Sequence, residues 1–332
     1  SILKLLVTGG LGFIGSNFIT HVIKNTDIEI VNVDAEFFGS SHSNLSEIKD
    51  SNNYEFVKGN ITNRKLMEEL ISKSDTIINF AAQSHVDRSI SDANPFLVSN
   101  IRGVFTILDI LKEQKKKMIQ ISTDEVYGTI LEGSAKEKDR FNPSSPYSAT
   151  KASAELLINS YVITYGLDVI ITRCTNNYGR YQFVEKLIPK TIGLARQNRK
   201  IPIYGSGKSI RDWIHVEDHC NAIMTVLEKG KSGESYNISA SDEIDNVTIA
   251  KKILKLLDKS EDQLEFGEER PGEDTRYSLD STKIRDELGW KPKISFDEGL
   301  ENTVEWYMSH DEKWWDNIPE ETYSSTPWKN KY

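Results

Sequence analysis

Short runs of apolar residues alternate along the first half of the chain with longer stretches whose apolar residues recur every three or four positions. Short runs rich in Val, Ile and Leu are typical of strands buried on both faces, and their alternation with helices predicts a parallel sheet. The predicted strands are Leu3–Val7, Ile28–Val33, Tyr54–Val57, Thr76–Phe80, Met118–Ser122 and Asp168–Thr172. The first half is therefore predicted to be an α/β domain built on a doubly wound parallel sheet.

Two long helices are predicted, over Asn94–Lys115 and Tyr147–Tyr165. The first carries apolar residues at helical spacing and ends on three lysines, whose positive charge suits the negative end of the helix dipole. Its apolar positions are Phe96, Ile101, Val104, Phe105, Leu108 and Leu111. Both helices are amphipathic enough to pack on another apolar surface.

The pattern loosens after about residue 175, where Pro189, Pro202 and several glycines interrupt short elements. We predict a dinucleotide-binding domain over residues 1–175 that also holds the catalytic residues. Residues 176–316 are predicted to form a smaller α/β substrate domain, partly interleaved with the first. The polar tail, residues 317–332, is expected to be loosely ordered. Its aromatic residues and those just before it could dock a partner, but core anchoring or disorder is the preferred interpretation; they are Trp314, Trp315 and Trp328.

Composition narrows the class of protein. A formal net charge of −9 argues against nucleic acid or an anionic membrane as the main partner. The two cysteines, Cys174 and Cys220, form no disulfide framework, which indicates a reducing compartment. No apolar run approaches the roughly 18 residues of a membrane span, and a strand predicted to start at Leu3 leaves no room for a signal peptide. We therefore expect a cytoplasmic enzyme.

The first predicted strand runs directly into a glycine-rich turn, Thr8–Ser16, with glycines at 9, 12 and 15. A strand, such a turn and a helix in this order are typical of dinucleotide binding: the glycines permit the tight turn and close backbone approach, and the helix N-terminus faces the pyrophosphate. Asp34 closes the second strand. Its carboxylate could accept hydrogen bonds from a ribose diol and would repel a 2′-phosphate, so NAD is preferred over NADP. The alternative is a generic turn with an acidic strand end.

Two adjacent carboxylates, Asp124 and Glu125, follow the fifth predicted strand. Neighbouring residues within a strand point to opposite faces, so the two acids can reach one ligand only if they lie just past the strand end. A buried pair of this kind pushes its two pKa values apart, which leaves one acid and one base. The alternative is a turn in which Asp124 caps a helix.

Tyr147 and Lys151 stand four residues apart on the second predicted long helix and therefore share a face. A phenol is a poor base at neutral pH, but a nearby ammonium and a cationic nicotinamide would lower its pKa. Such a pair is common in amphipathic helices. In a chain that also has a dinucleotide-binding turn and a carboxylate pair, the Tyr147/Lys151 pair favours a catalytic role.

Together these features resemble the extended short-chain dehydrogenase/reductases, and within that superfamily the dTDP-glucose 4,6-dehydratases. The resemblance rests on the glycine turn, Asp34, Ala81–Ser89, Thr123–Glu125 and the Tyr147/Lys151 pair. It continues through Arg173–Gly179, Glu185–Pro189, Arg211–Trp213 and Arg270–Gly272, to about Trp315. The Thr-Asp-Glu triplet is the specific part, because related epimerases and decarboxylases replace one or both acids. The implied fold is Rossmann-type, and the implied assembly is a homodimer through the two long helices.

The resemblance implies a tightly bound NAD that is regenerated in each cycle. Tyr147, helped by Lys151, would take the proton of the sugar 4-hydroxyl as hydride leaves C4, and Thr123 would hydrogen-bond that oxygen. Glu125 would remove the C5 hydrogen while Asp124 protonates the departing 6-hydroxyl. Hydride then returns to C6 and gives a 4-keto-6-deoxy sugar.

The resemblance also assigns binding residues. For the cofactor it implies Gly9, Gly12, Phe13, Ile14, Gly15, Asp34, Asn60, Ile61, Phe80, Ala81, Ala82, Ser99, Tyr147, Lys151 and Asn177. For the nucleotide sugar it implies Ser84, Thr123, Asn176, Glu185, Lys186, Leu187, Ile188, Pro189, Pro202, Tyr204, Arg211, Asn246 and Arg270. For the charged members of the second group, a surface ion-pair network is the alternative.

Several features depart from the family pattern or imitate other sites. Near the adenine and nucleotide positions, three residues common in the family are replaced by Asn60, Arg180 and Glu273. The sequence therefore constrains the nucleotide base of the substrate less than it constrains the reaction. Gly205–Ser209 imitates part of a phosphate-binding loop, but Pro202 occupies its first glycine position. The segment His215–Cys220 imitates a metal site, but a capped helix start is preferred, and no metal is predicted.

Two rival functions stay open. A 4-epimerase or uronate decarboxylase of the same superfamily would bind similar ligands, but an epimerase needs no acid for a leaving 6-hydroxyl. A catalytically silent NAD-binding regulator would be expected to have lost part of the catalytic set. Asp124 and Glu125 therefore favour the dehydratase, acting on a nucleoside-diphosphate glucose.

Overall fold

The computed structural model describes residues 2–332 and contains a seven-stranded sheet whose pairings are all parallel. In chain order the strands of the protein are β1 (Lys4–Thr8), β2 (Glu29–Asp34), β3 (Tyr54–Lys58), β4 (Thr76–Asn79), β5 (Lys117–Thr123), β6 (Val169–Cys174), β7 (Asn176–Tyr178), β8 (Ile201–Tyr204), β9 (Ile210–His215), β10 (Ser235–Ile238), β11 (Glu243–Asp245) and β12 (Leu264–Gly267). The large sheet has the order β10-β6-β5-β4-β1-β2-β3. This reversal of strand order on either side of β1 and β4 confirms the doubly wound α/β fold.

The helices are α1 (Phe13–Asn25), α2 (Arg64–Ser72), α3 (Val86–Ser91), α4 (Asn94–Phe96), α5 (Gly103–Glu113), α6 (Pro146–Tyr165), α7 (Leu187–Arg196), α8 (Val216–Lys229), α9 (Asn246–Leu256), α10 (Thr282–Leu288), α11 (Phe296–Met308) and α12 (Glu312–Asp316). Each of the six predicted strands corresponds to an observed strand whose ends differ by at most two residues. No helix within residues 2–332 combines the length and the apolar character that crossing a membrane requires.

The helix predicted over Asn94–Lys115 is interrupted and shorter than expected. A π-helical segment, Leu97–Arg102, joins α4 to α5, and α5 ends at Glu113 because Lys117 already pairs with Thr76 in the sheet. The π segment turns two polar residues inward. Asn100, for example, donates to Thr150 on α6 at 3.0 Å and to the Gln83 carbonyl oxygen. The altered winding therefore positions polar groups beside the second long helix.

Elements from beyond residue 175 build two small sheets and also join the large one. The order in one small sheet is β11-β9-β7, and the other pairs β12 with β8. Strand β10 returns to the large sheet and pairs with β6. The two halves of the chain therefore share one sheet, and the boundary at residue 175 stays a prediction.

The C-terminal tail is packed, so the expectation of loose order is wrong. Two 3₁₀ turns, Glu320–Tyr323 and Pro327–Lys329, follow α12, and the side chains of Trp315, Tyr323 and Trp328 are buried. Trp315 and Tyr323 belong to the apolar cluster that contains α7, α9 and α11. These aromatic side chains bury enough apolar surface to fix the tail, which is the core anchoring that the sequence left as one alternative.

A buried ion pair connects strands β5 and β6 to helix α6. Arg173 donates from Nε to Glu155 at 2.8 Å, and the two side chains are 3% and 0% exposed. Ser122 donates to the other oxygen of Glu155 at 2.7 Å, and Arg173 also donates to Tyr127. Because a buried charge is costly unless it is paired and hydrogen-bonded, this network fixes the end of β5 against α6.

We expect Glu155→Gln to lower the free energy of unfolding by about 3–5 kcal/mol, because it leaves the Arg173 guanidinium buried without its counter-charge. Glu68→Gln is the control, since Glu68 pairs with Arg64 on the surface and should contribute at most about 1 kcal/mol. Chemical denaturation of the three proteins measures the difference. Equal losses in the two variants would contradict the account of the buried pair.

Candidate active site

The turn after β1 needs its glycines for close packing. Gly9 has φ +71°, and a Cβ there would lie 2.6 Å from the backbone of Ala81. A Cβ on Gly15 would lie 2.7 Å from the Gly9 carbonyl oxygen. Helix α1 then begins at Phe13, with its N-terminus at the cavity described below. This compact cradle lets backbone N–H groups and the helix dipole approach a pyrophosphate.

Asp34 ends β2 beside this turn, as the sequence predicts. Its carboxylate accepts hydrogen bonds from the backbone N–H groups of Leu11, at 3.0 Å, and Glu36, at 2.7 Å. Burial raises the pKa of Asp34, and these hydrogen bonds oppose the rise. An oriented carboxylate at this position suits a ribose diol, so the turn and Asp34 together fit the adenosine half of NAD.

The carboxylate pair lies just past the end of a strand, as expected. Strand β5 ends at Thr123, and Asp124–Tyr127 form a 3₁₀ turn. Thr123 caps this turn by accepting a hydrogen bond from the Glu125 N–H at 3.2 Å, so the alternative in which Asp124 is the capping residue is wrong. Both carboxylates line the cavity. Two neighbouring residues within the strand would instead have pointed to opposite faces of the sheet.

The surroundings of the two acids affect their pKa values differently. It raises the pKa of Asp124 well above its ordinary value, and the neighbouring Glu125 raises it further. The pKa of Glu125 is also raised by burial, but the positive charges of Arg270 and Arg211 oppose that rise. Asp124 is therefore suited to donate a proton and Glu125 to accept one.

Tyr147 and Lys151 extend from the first turns of α6 toward the same cavity. Ser145 and Ser148 form a capping box that fixes the start of the helix. Lys151 donates from Nζ to the Ile121 carbonyl oxygen at 2.9 Å, and burial lowers its pKa to about 8. The helix thus holds both side chains against the end of β5.

The sequence predicts a lowered pKa for Tyr147, but the protein's own groups raise it. Burial raises the pKa of Tyr147, and the charges of Glu125 and Asp124 raise it further. Lys151 donates to a backbone carbonyl, so its positive charge is not hydrogen-bonded to the phenol. Activation of Tyr147 thus depends on the cationic nicotinamide more than the sequence argument assumed.

One cavity brings together nearly all of the residues singled out from the sequence. The predicted catalytic residues Thr123, Asp124, Glu125, Tyr147 and Lys151 line it. So do the predicted cofactor residues Gly9, Gly12, Phe13, Ile14, Gly15, Asp34, Asn60, Ile61, Phe80, Ala81, Ala82, Ser99 and Asn177. The predicted sugar and diphosphate residues Ser84, Asn176, Glu185, Lys186, Leu187, Ile188, Pro202, Tyr204, Arg211, Asn246 and Arg270 line it as well.

Two residues stand outside this lining. Pro189 is buried within α7 and does not line the cavity. Its neighbours Leu187, Ile188 and Lys190 do line it. The side chain of Arg180 lies 3.8 Å from Glu217 on α8. The family departure at Arg180 is therefore not in contact with this cavity, whereas the departures at Asn60 and Glu273 are.

The charged residues at the substrate end form a buried network, not the surface network that the sequence left as an alternative. Glu185 lies 2.6 Å from His85 Nδ1 and 3.2 Å from Arg88 Nε, so its carboxylate is already held by protein groups. Lys186 donates to the Ser84 carbonyl oxygen at 3.0 Å. The side chains of Arg211 and Arg270 are 6% and 17% exposed, and both face acidic partners.

Several polar atoms on the cavity wall have no hydrogen-bond partner among the described residues. They include Asp87 Oδ1, Asp124 Oδ2, Asn246 Oδ1 and Arg270 Nε. Glu273 Oε2 also makes no hydrogen bond, although it lies 2.6 Å from Arg270 Nη2 as an ion pair. Buried polar groups are rarely left unpaired in native structures, so these atoms indicate where a polar ligand belongs. Acceptors and a donor occur together, as the hydroxyls and phosphates of a nucleotide sugar require.

The cavity also contains residues that the sequence argument missed. They include Phe37, Phe38, His85, Asp87, Gln182, Phe183, Lys190, Trp213 and His219. Asp87 lies inside a segment already noted for the family resemblance, so it was within reach. His219 was considered only as a metal ligand; instead its Nδ1 lies 3.0 Å from Asn177 Oδ1. His85 and Trp213 also lie in segments noted for the resemblance, and Lys190 lies on α7. Phe37, Phe38, Gln182 and Phe183 lie outside helices and strands, where the sequence pattern does not specify the course of the chain.

The two segments that imitate other sites form a capped helix start and a turn. Among residues 2–332 there is no group of three or more His, Cys, Asp or Glu side chains arranged to hold a metal ion. His215 caps α8 by accepting a hydrogen bond from the Glu217 N–H at 3.1 Å, which is the capped helix start preferred from the sequence. Gly205 and Gly207 follow β8 in a turn, and a Cβ on Gly207 would meet Ile203 and Val247.

Comparison with known proteins agrees with this arrangement. The sequence model of the family described as GDP-mannose 4,6 dehydratase matches residues 6–303. The chain is 47% identical to the low-salt glycan biosynthesis protein Agl12 of Haloferax volcanii, over 93% of this chain and 100% of that protein. It is 41% identical to the dTDP-glucose 4,6-dehydratase of Mycobacterium tuberculosis, over 96% of this chain and 97% of that enzyme.

A solved structure shares the whole fold. The dTDP-glucose 4,6-dehydratase DesIV from Streptomyces venezuelae, with NAD and TYD bound, superposes with a TM-score of 0.92. It is 39% identical and covers 95% of this chain and 99% of its own. The chain therefore belongs to the 4,6-dehydratase family that the GDP-mannose 4,6 dehydratase model describes, together with the dTDP-glucose 4,6-dehydratases.

Proposed function

We propose that the protein catalyses the NAD-dependent dehydration of dTDP-glucose to the 4-keto-6-deoxy sugar, and so acts as a hydro-lyase. The observation that carries this proposal is the buried Asp124–Glu125 pair, which faces the same cavity as Tyr147 and Lys151. Epimerisation at C4 needs a tyrosine base but no second acid for a leaving hydroxyl. The dehydratase relatives support the same choice, and their names support dTDP as the nucleotide.

The residues for the cofactor and the residues for catalysis meet at the carboxyl ends of the strands. The glycine turn and Asp34 would hold the adenosine diphosphate half of NAD, and Asn177, Tyr147 and Lys151 line the far part of the same cavity. When bound, NAD supplies an acceptor for the hydride of sugar C4 and later returns that hydride to C6. We infer that NAD stays bound through many cycles, because the hydride that it receives from C4 must return to the same sugar.

The chain's own residues then divide the proton transfers. Tyr147 takes the proton of the 4-hydroxyl, with the Lys151 ammonium nearby to stabilise the phenolate, and Thr123 hydrogen-bonds the same oxygen. Oxidation at C4 acidifies the C5 hydrogen, which Glu125 removes as a proton and returns to C5 when hydride reaches C6. Asp124, whose pKa burial raises, gives its proton to the departing 6-hydroxyl, so that water leaves. The role of Asp124 matches the direction in which burial shifts its pKa.

The substrate test is incubation of the purified protein with dTDP-glucose, with no NAD added, followed by mass spectrometry of the sugar nucleotide. We expect the loss of one water molecule and the alkali-induced ultraviolet absorbance of a 4-keto-6-deoxy sugar. UDP-, CDP- and GDP-glucose, measured in parallel, identify the preferred base. An unchanged mass with every nucleotide, despite bound NAD, would refute the proposal and favour the epimerase or the regulator.

The same assay on Asp124→Asn isolates the acid. The amide has the shape of the carboxyl group but cannot give up a proton, so dehydration should slow by roughly 10²–10⁴-fold. Glu132→Gln, a change at an exposed residue outside the cavity, should leave the rate unaltered. An Asp124→Asn protein that dehydrates at the normal rate would remove Asp124 from the mechanism.

We further propose a cytoplasmic homodimer, assembled through the surface of α5 and α6. Apolar side chains stand exposed on both helices: Phe105 is 44% exposed, Leu156 61% and Ile163 84%. Contiguous apolar side chains on one face favour burial against a second copy.

We expect sedimentation to give twice the mass of the 37.7 kDa chain, and Leu156→Glu to shift the protein to monomers. Leu131→Glu is the control, because Leu131 is 72% exposed but lies outside these helices. A wild-type monomer at micromolar concentration would contradict the dimer, as would a Leu156→Glu protein that stays dimeric.

A further inference from the structure

One carboxylate connects the two arginines at the substrate end of the cavity. Glu273 Oε1 lies 3.1 Å from Arg211 Nη2, and Glu273 Oε2 lies 2.6 Å from Arg270 Nη2. All three side chains are largely buried, and all three line the cavity. A carboxylate that offers one oxygen to each of two guanidinium groups presents the contacts that neighbouring phosphate oxygens would make.

Arg211 does not need Glu273 to hold its position. Its Nη1 donates to the carbonyl oxygens of Ile210 and Asp274, both at 2.9 Å. The ring of Tyr277 lies against the guanidinium, 4.2 Å from its central carbon. The backbone and this ring fix one edge of the arginine, so Glu273 occupies Nη2, a donor that is free for an anionic ligand once the carboxylate leaves.

The charges of the cluster balance only while Glu273 is in place. Arg270 Nη1 lies 3.7 Å from Asp87, so two arginines face two carboxylates. A diphosphate that enters such a balanced, buried cluster meets two negative groups at short range, where repulsion is weakly screened. The diphosphate gains the full attraction of Arg211 and Arg270 only when the Glu273 carboxylate moves away from them.

The position of Glu273 in the chain allows that movement. It lies between β12 and α10, outside regular structure, in a turn closed by its own N–H and the Arg270 carbonyl oxygen at 3.1 Å. Gly272, with φ +70°, precedes it, and a Cβ on Gly272 would lie 2.7 Å from the Ser144 carbonyl oxygen. The backbone is therefore fixed by packing, while the glutamate side chain can rotate about its own bonds.

We propose that Glu273 competes with the diphosphate of the substrate, as an internal carboxylate that occupies Arg211 and Arg270 until the phosphates displace it. The proposal rests on the proposed function for the presence of a diphosphate, but not for its base or for turnover. The exchange of one anion for another keeps the arginines paired in both states. It lowers the net affinity for the diphosphate, because each binding event must first break two ion pairs.

The test is calorimetric binding of dTDP and of thymidine to the purified protein with its NAD retained. Glu273→Gln keeps the shape of the side chain and removes the competing charge. We expect it to tighten dTDP binding by about tenfold, which is the effect of roughly 1.4 kcal/mol. Binding of thymidine, which has no phosphate, should not change. Glu268→Gln is the matched control, because Glu268 is exposed and pairs with Lys329.

Weaker or unchanged dTDP binding by Glu273→Gln would overturn the proposal, since Glu273 would then orient the arginines or do nothing. If Glu273→Gln fails to fold, Glu273→Asp decides. Aspartate keeps the charge but is too short to reach both arginines, so tighter dTDP binding than wild type is again expected, and equal or weaker binding overturns the proposal. Inorganic pyrophosphate repeats the comparison without a base. Because no measurement requires turnover, a protein that fails to dehydrate dTDP-glucose would refute the proposed function alone.

Discussion

All pairings of the large sheet are parallel, so the carboxyl ends of its strands meet at one edge. This constraint brings the site residues at the strand ends together. The glycine turn ends β1, Asp34 ends β2 and Thr123 ends β5, so the residues that bind the dinucleotide and those that move protons share one cavity. Helix α6 adds Tyr147 and Lys151 from the side, and the C-terminal half contributes the arginines.

Burial of charge then determines the chemistry of this edge. Burial raises the pKa of Asp124 and so favours its protonated form, while the arginines oppose the same effect on Glu125. The pair Arg173–Glu155 holds the end of β5 against α6 a short distance behind these acids, through Ser122. The substrate end is also charged and buried, but Glu273 and Asp87 offset its arginines. The site is therefore arranged to receive a strongly anionic ligand by exchange of ion pairs.

Local pattern was enough to predict the strands, the doubly wound sheet and the residues at the strand ends. Each of these depends on periodicity or on spacing along the chain, which the sequence displays directly. The family resemblance supplied the substrate residues, and the cavity gathers nearly all of them. The sequence missed features that depend on contacts between distant segments. Glu273 meets Arg211 across 62 positions, and only the fold reveals that contact.

Three further differences from the sequence-based expectations have physical causes of the same kind. The π segment at Leu97–Arg102 follows from polar contacts with α6, which helical periodicity cannot register. The pKa of Tyr147 was expected to fall beside Lys151 and a cationic nicotinamide, whereas among the protein's own groups burial and two carboxylates raise it. The packed tail depends on the apolar cluster around α7, to which its aromatic residues are joined only in three dimensions.

The central claim is that one cavity hosts oxidation at C4, loss of water between C5 and C6, and reduction at C6. The most direct test is turnover of dTDP-glucose that carries deuterium at C4, followed by nuclear magnetic resonance of the product. The account predicts a 4-keto-6-deoxy sugar whose methyl group contains the deuterium, because the hydride removed from C4 returns to C6 within the same site. Deuterium that stays at C4 in an epimerised sugar, or a product that has lost it to solvent, would contradict the account.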